Sequence, residues 1–104
     1  ERLVRKAQSV DCWGGHAPNI LIVCPPAIRP EMERNECGVP MGRGCIEKSI
    51  ELPKYLSATA KLVGAHYLDA ADCEFNHVDG MHLTKKGHAQ LAELLAALAP
   101  GLMP

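Results

Sequence analysis

The sequence predicts an α/β fold in which helices cover a parallel sheet, and three observations predict it. Segments of helical and strand character alternate as helix, strand, helix, strand, helix, the pattern of layered α/β domains with right-handed parallel crossovers. The run from Asn19 to Cys24, NILIVC, is apolar on both faces, as a strand in the middle of a parallel sheet is. The last helical segment sets Leu91, Leu94, Leu95 and Leu98 at the i, i+3, i+4, i+7 spacing of one apolar stripe.

Each element has its own local reason. Residues 1–9 carry Leu3, Val4 and Ala7 on one side and charge around the rest, which suits the end of an amphipathic helix. That helix starts in mid-pattern without a cap, so it is expected to be entered from upstream. Trp13-Gly14-Gly15 and Pro18 break it, and Pro25-Pro26 stop the first strand. Residues 29–44 read as a polar loop rich in Gly, Pro and charge, with Arg29, Glu31, Arg34, Asn35 and Arg43 expected on a solvated surface. A helix follows over about 46–63, with Ile46, Ile50, Pro53, Ala60 and Val63 near one face. Pro53 is expected to kink it or to force a later start. Gly64 is placed to end it. The short run 66–70, HYLDA, is the second strand. Thr84 is the expected N-cap of the last helix, and Pro100 ends it. Lys85 and Lys86 in its first turn oppose the macrodipole, with no stability reason visible in the sequence.

Two strands are too few for such a sheet. A buried parallel strand needs a neighbour on each side, and the chain offers the first strand at most one. The 104 residues therefore read as half of a single larger α/β domain.

Composition narrows the function. A hydrophobic fraction of 47% and a charged fraction of 22% are those of a globular protein. A formal charge of -1 with scattered Lys and Arg argues against nucleic acid and against an anionic membrane surface. The apolar stretches 20–24 and 94–99 are too short to span a bilayer. Five cysteines without a CxxC pair fit neither a closed disulfide framework nor a zinc ribbon, and point to reduced thiols in the cytoplasm. Cys37 and Cys45 flank a Gly-rich loop, so one bridge between them stays open.

The chemistry concentrates in residues 72–84, DCEFNHVDGMHLT, which run directly into the last helix. Asp79 and His82 stand three positions apart in DGMH. A carboxylate beside a histidine orients one ring nitrogen and leaves the other free as a base.

From Asn19 onward the chain resembles the C-terminal half of an SGNH (GDSL-type) serine hydrolase. NILIVCPPAI is similar to the penultimate strand of that family, EKSIELPKYLSATAKLVGAHYLDA to the following helix and last strand, and DGMHLTKKGHAQLAELL to the block with its Asp-x-x-His pair and final helix. The resemblance implies a three-layer α/β/α, flavodoxin-like sheet, of which this chain holds the last two parallel strands. It implies ester hydrolysis through an acyl-enzyme, with His82 as general base, Asp79 as its orienting acid and Gly80 freeing the turn. Pro26, Ile28 and Met81 become the candidates for the substrate pocket of a small ester, and the loop holding Arg29, Glu31, Arg34, Asn35 and Arg43 would border the acyl pocket and shape substrate choice. No cofactor and no metal are implied.

The departures from the family are large. No Gly-Asp-Ser nucleophile block exists, Ser9, Ser49 and Ser57 lie in helical or helix-flanking patterns, and no Asn sits in the context of an oxyanion donor. The necessary partner is then a missing N-terminal half carrying the serine and the oxyanion donors, and the chain alone is expected to be inert. Two other readings stand beside this one. The chain is a binding or assembly module, or a homo-oligomer, joined through the strand edge at 20–24. Or it binds metal through His66, Asp72, Cys73, His77, Asp79 and His82, although their spacing matches no closed zinc site.

Overall fold

The computed structural model describes residues 1–11, 15, 18–36 and 41–103. Its elements are α1 (Arg2–Gln8), β1 (Leu21–Cys24), a 3₁₀ helix (Pro30–Arg34), α2 (Cys45–Val63), β2 (His66–Asp69), α3 (Lys85–Leu98) and a 3₁₀ turn (Ala99–Gly101). The predicted alternation is therefore present. β1 and β2 pair in parallel, with Leu21 opposite His66 and Cys24 opposite Asp69. Two bonds extend the ladder at its ends: the His66 amide donates to Ile20 O at 2.8 Å and the Ala70 amide to Cys24 O at 2.9 Å.

Because the strands are parallel and in register, the chain leaves both at the same end of the sheet. The segment after Cys24 and the segment after Asp69 must emerge side by side, at the carboxyl ends where open α/β sheets place their sites. After β2 an Asp69 carboxylate oxygen accepts the Ala71 amide at 2.9 Å, which turns the chain at once toward the candidate loop.

α2 is the crossover and lies on both strands. Gly64, with φ +66, ends it as expected, and Ala60 and Val63 are buried beneath it. One of the two outcomes expected of Pro53 and the placing of Ile50 need correction. Pro53 does not delay its start, because the turns before the proline are tied elsewhere. The Ser49 hydroxyl donates to Ile46 O at 2.7 Å and accepts the Ile28 amide at 2.9 Å, so the segment after β1 holds the early helix. Ile50 remains 61% exposed, whereas Ala60 and Val63 further along the helix are buried.

The core joins Cys24, Met32, Ala60, Val63, Ala70 and Cys73. β1 is buried only at Cys24 and half-buried along the rest, less enclosed than its composition suggested. α3 half-buries Leu91, Leu95 and Leu98 and leaves Leu94 exposed. Cys24 and Cys73 are free buried thiols, while Cys37, the partner considered for Cys45, lies outside the described residues. Among the described residues no helix is long and apolar enough to cross a membrane.

Candidate active site

The loop between β2 and α3 is closed by its own backbone before any function enters. Phe75 and Leu83 form an antiparallel bridge at its base. Inside it, the Asn76 amide donates to His82 O at 2.7 Å and the Gly80 amide to Asn76 O at 2.7 Å. The Asn76 side-chain oxygen accepts the Val78 amide at 2.8 Å, an Asx turn that starts the reversal. Gly80 completes it at φ +69, a conformation that glycine adopts without a Cβ penalty.

That turn places Asp79 under His82. One Asp79 oxygen accepts the amides of Met81 at 2.9 Å and His82 at 3.0 Å, and the other lies 3.0 Å from His82 Nδ1. The two amides, then the ring, hold the Asp79 carboxyl below its ordinary value. Asp79 is thus an anchored acceptor, with a side chain only 24% exposed, while the His82 side chain is 74% exposed. A neutral His82 donating Nδ1–H to Asp79 turns the Nε2 lone pair outward, the arrangement of a general base awaiting a proton.

The helix behind the loop is fixed by a second cluster. The Thr84 hydroxyl accepts the Gly87 amide at 3.0 Å as the predicted N-cap and donates to the Glu74 carboxylate at 2.7 Å. Lys86 Nζ lies 3.5 Å from the same carboxylate. The basic first turn, unexplained by the sequence, thereby meets a fixed anion. Glu74 is held below its ordinary pKa first by the Thr84 hydroxyl and then by Lys86.

The polar segment after β1, which the resemblance sets beside the acyl pocket, packs against this loop. Glu31 and Asn35 are half-buried rather than simply solvated, and Met32 is in the core. His77 Nδ1 lies 3.2 Å from Glu31 Oε1, and the Arg29 guanidinium stands 4.8 Å from the Phe75 ring centre. Its 3₁₀ helix had a local signal in Pro30 ahead of Glu31 and Glu33, a helix-start signature.

Of the pocket candidates, Pro26 is buried and Ile28 and Met81 are half-buried. The Arg29 amide donates to Gly80 O at 2.9 Å, so the peptide after Ile28 bonds the peptide before Met81, bringing those two positions to one seam. The serines are elsewhere, each donating to a carbonyl three residues back: Ser9 to Lys6, Ser49 to Ile46 and Ser57 to Lys54. The metal reading gains no support. Among the described residues no three His, Cys, Asp or Glu side chains gather as a metal site, and Cys73, its one sulfur, is in the core.

Two parallel strands with flanking helices form part of an α/β domain of the SGNH-hydrolase kind, and the solved structures similar to this chain are arylesterases and carbohydrate acetylesterases of that type. The native aryl esterase of M. smegmatis superposes on 97% of the chain with a TM-score of 0.82 at 28% identity. An arylesterase of Agrobacterium tumefaciens, described as putative, covers 98% of it at 0.79 and 28%, and a carbohydrate acetylesterase of Sinorhizobium meliloti covers 93% at 0.68 and 33%. The chain spans 48% of the length of each of these three proteins. No protein-family model and no curated protein matches the sequence.

Proposed function

We propose that this chain is the C-terminal half of one SGNH-like domain and supplies the Asp–His part of a serine esterase triad. The observation that carries the proposal is the Asp79–His82 pair, with one carboxylate oxygen fixed by two amides and the other on Nδ1. In the reaction, His82 Nε2 takes the proton of a serine hydroxyl as its oxygen attacks the ester carbonyl. The imidazolium, stabilised by Asp79, returns that proton to the departing alcohol, leaving an acyl-enzyme. Water, deprotonated by His82 in turn, releases the acid. The similar structures named for aryl and carbohydrate acetyl esters support small aryl or acetyl esters as the substrate class. Neither metal nor organic cofactor enters these steps. The five cysteines without a CxxC pair support a cytoplasmic setting.

The serine and the oxyanion donors come, in this reading, from the N-terminal half of the domain docked beside β1. Surface area supports such a partner. The chain exposes 7583 Å² at 11.2 kDa, where a compact protein of that mass exposes about 5,700 Å². A surplus of about 1,900 Å² on one side is the scale of an obligate interface, since a standard one takes about 800 Å² from each partner. Exposed Leu3, Ile50, Tyr55 and Leu62 add apolar surface to cover. The same surface is compatible with an assembly module that has no activity.

Intact-mass analysis after exposure to a fluorophosphonate, which tags activated serines, separates the two. A tag on a serine outside residues 1–104 that disappears in His82→Ala is the expected result. A sample that stays untagged yet forms a stable complex favours the assembly module.

A further inference from the structure

The turn that carries Asp79 and His82 is anchored at both ends and in its middle. Its His82 end is held from within the loop: the Asn76 amide bonds His82 O, and Leu83 bridges Phe75. Its Asp79 end is held from outside, by the segment after β1. The Asn35 side-chain amide donates to Val78 O at 3.1 Å. That carbonyl belongs to the peptide joining Val78 to Asp79, so the amide stands one covalent step from the Cα bearing the triad carboxylate. Met32, 1% exposed and three residues before Asn35, roots this segment in the core, and the Asn35 amide proton bonds back to Met32 O at 3.2 Å.

The other ties across this seam are of different kinds. Glu31 with His77 and Arg29 over Phe75 each join an exposed side chain to a half-buried one, and partly exposed pairs of this sort contribute little. The Arg29 amide on Gly80 O fixes the middle of the turn. Among the described residues, Asn35 is the side chain that bonds the peptide leading into Asp79. The 3.0 Å contact between Asp79 Oδ2 and His82 Nδ1 lies between these two ends.

We propose that Asn35 is a positioning residue for the esterase reaction: by holding the Val78 carbonyl it keeps Asp79 on His82 Nδ1, which fixes the imidazole tautomer and points Nε2 at the nucleophile. This rests on the esterase reading given above. Nothing about Asn35 marks it in the sequence, where it is one polar residue in a charged loop.

The test uses the complete protein containing this chain, with Asn35→Ala, Asn35→Asp and, as a control, Glu33→Ala on the exposed side of the same 3₁₀ helix. In Asn35→Asp a carboxylate oxygen faces the carbonyl, so it does no better than alanine. Two readouts are taken: kcat and KM on an aryl acetate, and the His82 tautomer from nitrogen-15 NMR, its signals assigned by their loss in His82→Gln. Both Asn35 variants are expected to lose roughly 10–100-fold in kcat with KM within about twofold, as slight misplacement of a catalytic group does. Both are expected to lose part of the Nδ1–H tautomer, and Glu33→Ala is expected to match wild type. An Asn35→Ala protein that keeps the wild-type tautomer overturns the proposal, whether its turnover is normal or falls only with its thermal stability. If the complete protein cleaves no ester, the esterase reading fails by itself, and the tautomer alone decides whether Asn35 positions Asp79.

Discussion

Gly87, in the first turn of α3, lies so close to Glu74 that a β-carbon at position 87 would overlap the Glu74 carbonyl oxygen. The helix can approach the loop base only because this side chain is absent. Helix propensity favours alanine over glycine by up to about 1 kcal/mol. Overpacking a close contact costs about 1–3 kcal/mol and, against backbone, cannot be relieved by a rotamer change. Gly87→Ala is therefore expected to destabilise the protein despite its better helix propensity, as read by urea denaturation. A stabilised variant would mean that α3 is not seated on Glu74.

Gly80 faces two penalties at once. Its φ of +69 costs a non-glycine residue about 1–3 kcal/mol. A β-carbon there would also stand 3.0 Å from Arg29 O and Met32 N, tighter than ordinary packing. Gly80→Ala is expected to lower stability by at least that conformational cost and to reduce esterase turnover with it. Unchanged thermal midpoint and turnover would contradict the turn described here.

Asp79→Asn tests the carboxylate separately from the turn. The asparagine oxygen still accepts the Met81 and His82 amides, so the fold is expected to persist. The amide nitrogen then faces Nδ1 as a donor and selects the wrong tautomer, for which a loss on the order of 10⁴ in kcat is expected. Steady-state kinetics of the complete protein on an aryl acetate, with circular dichroism to confirm folding, checks it.

Acid stability follows from the lowered carboxyls. Glu74, ordinarily at 4.5, is held lower by the Thr84 hydroxyl, and Asp79, ordinarily at 3.8, by the Met81 and His82 amides. A carboxyl lowered in the folded state contributes stability that is complete above its ordinary value and lost as pH falls through the lowered one. The thermal-midpoint gap between wild type and Glu74→Gln is thus expected to be constant above pH 4.5 and to shrink below it. A gap that widens in acid would reverse the assignment.

Cys24 and Cys73 are expected to resist iodoacetamide at neutral pH until the protein unfolds. Burial raises both thiol pKa values, and the thiolate is the reactive form. Peptide mapping with and without denaturant measures this directly.

The elements that were legible in the sequence are those whose signals are local. β1 announced itself by an unbroken apolar run, α3 by its leucine spacing and Thr84 cap, and the end of α2 by Gly64. The DGMH spacing carried the Asp79–His82 pair, because three residues around a glycine turn suffice to bring them together. What the sequence hid depends on contacts across long separations. Asn35 meets Val78, Glu31 meets His77, and Lys86 acquires its partner only when Glu74 folds against α3. Ile50 was misread because periodicity identifies a face but cannot say how much of it will be covered. Of the two outcomes expected of Pro53, the later start is absent, and the helix ahead of it is tied at Ser49 by a segment 21 residues earlier.

The Asp79 turn receives its outside bonds on main-chain carbonyls, those of Val78 and Gly80, so the identity of the side chains at 78 and 81 is left largely uncommitted. Val78 is 79% exposed, and Met81 contributes its amide to Asp79 whatever its side chain. Such positions are well suited to saturation libraries. Variation there is expected to leave the Asp79–His82 contact in place, so these two positions can be varied without touching the groups that hold the imidazole.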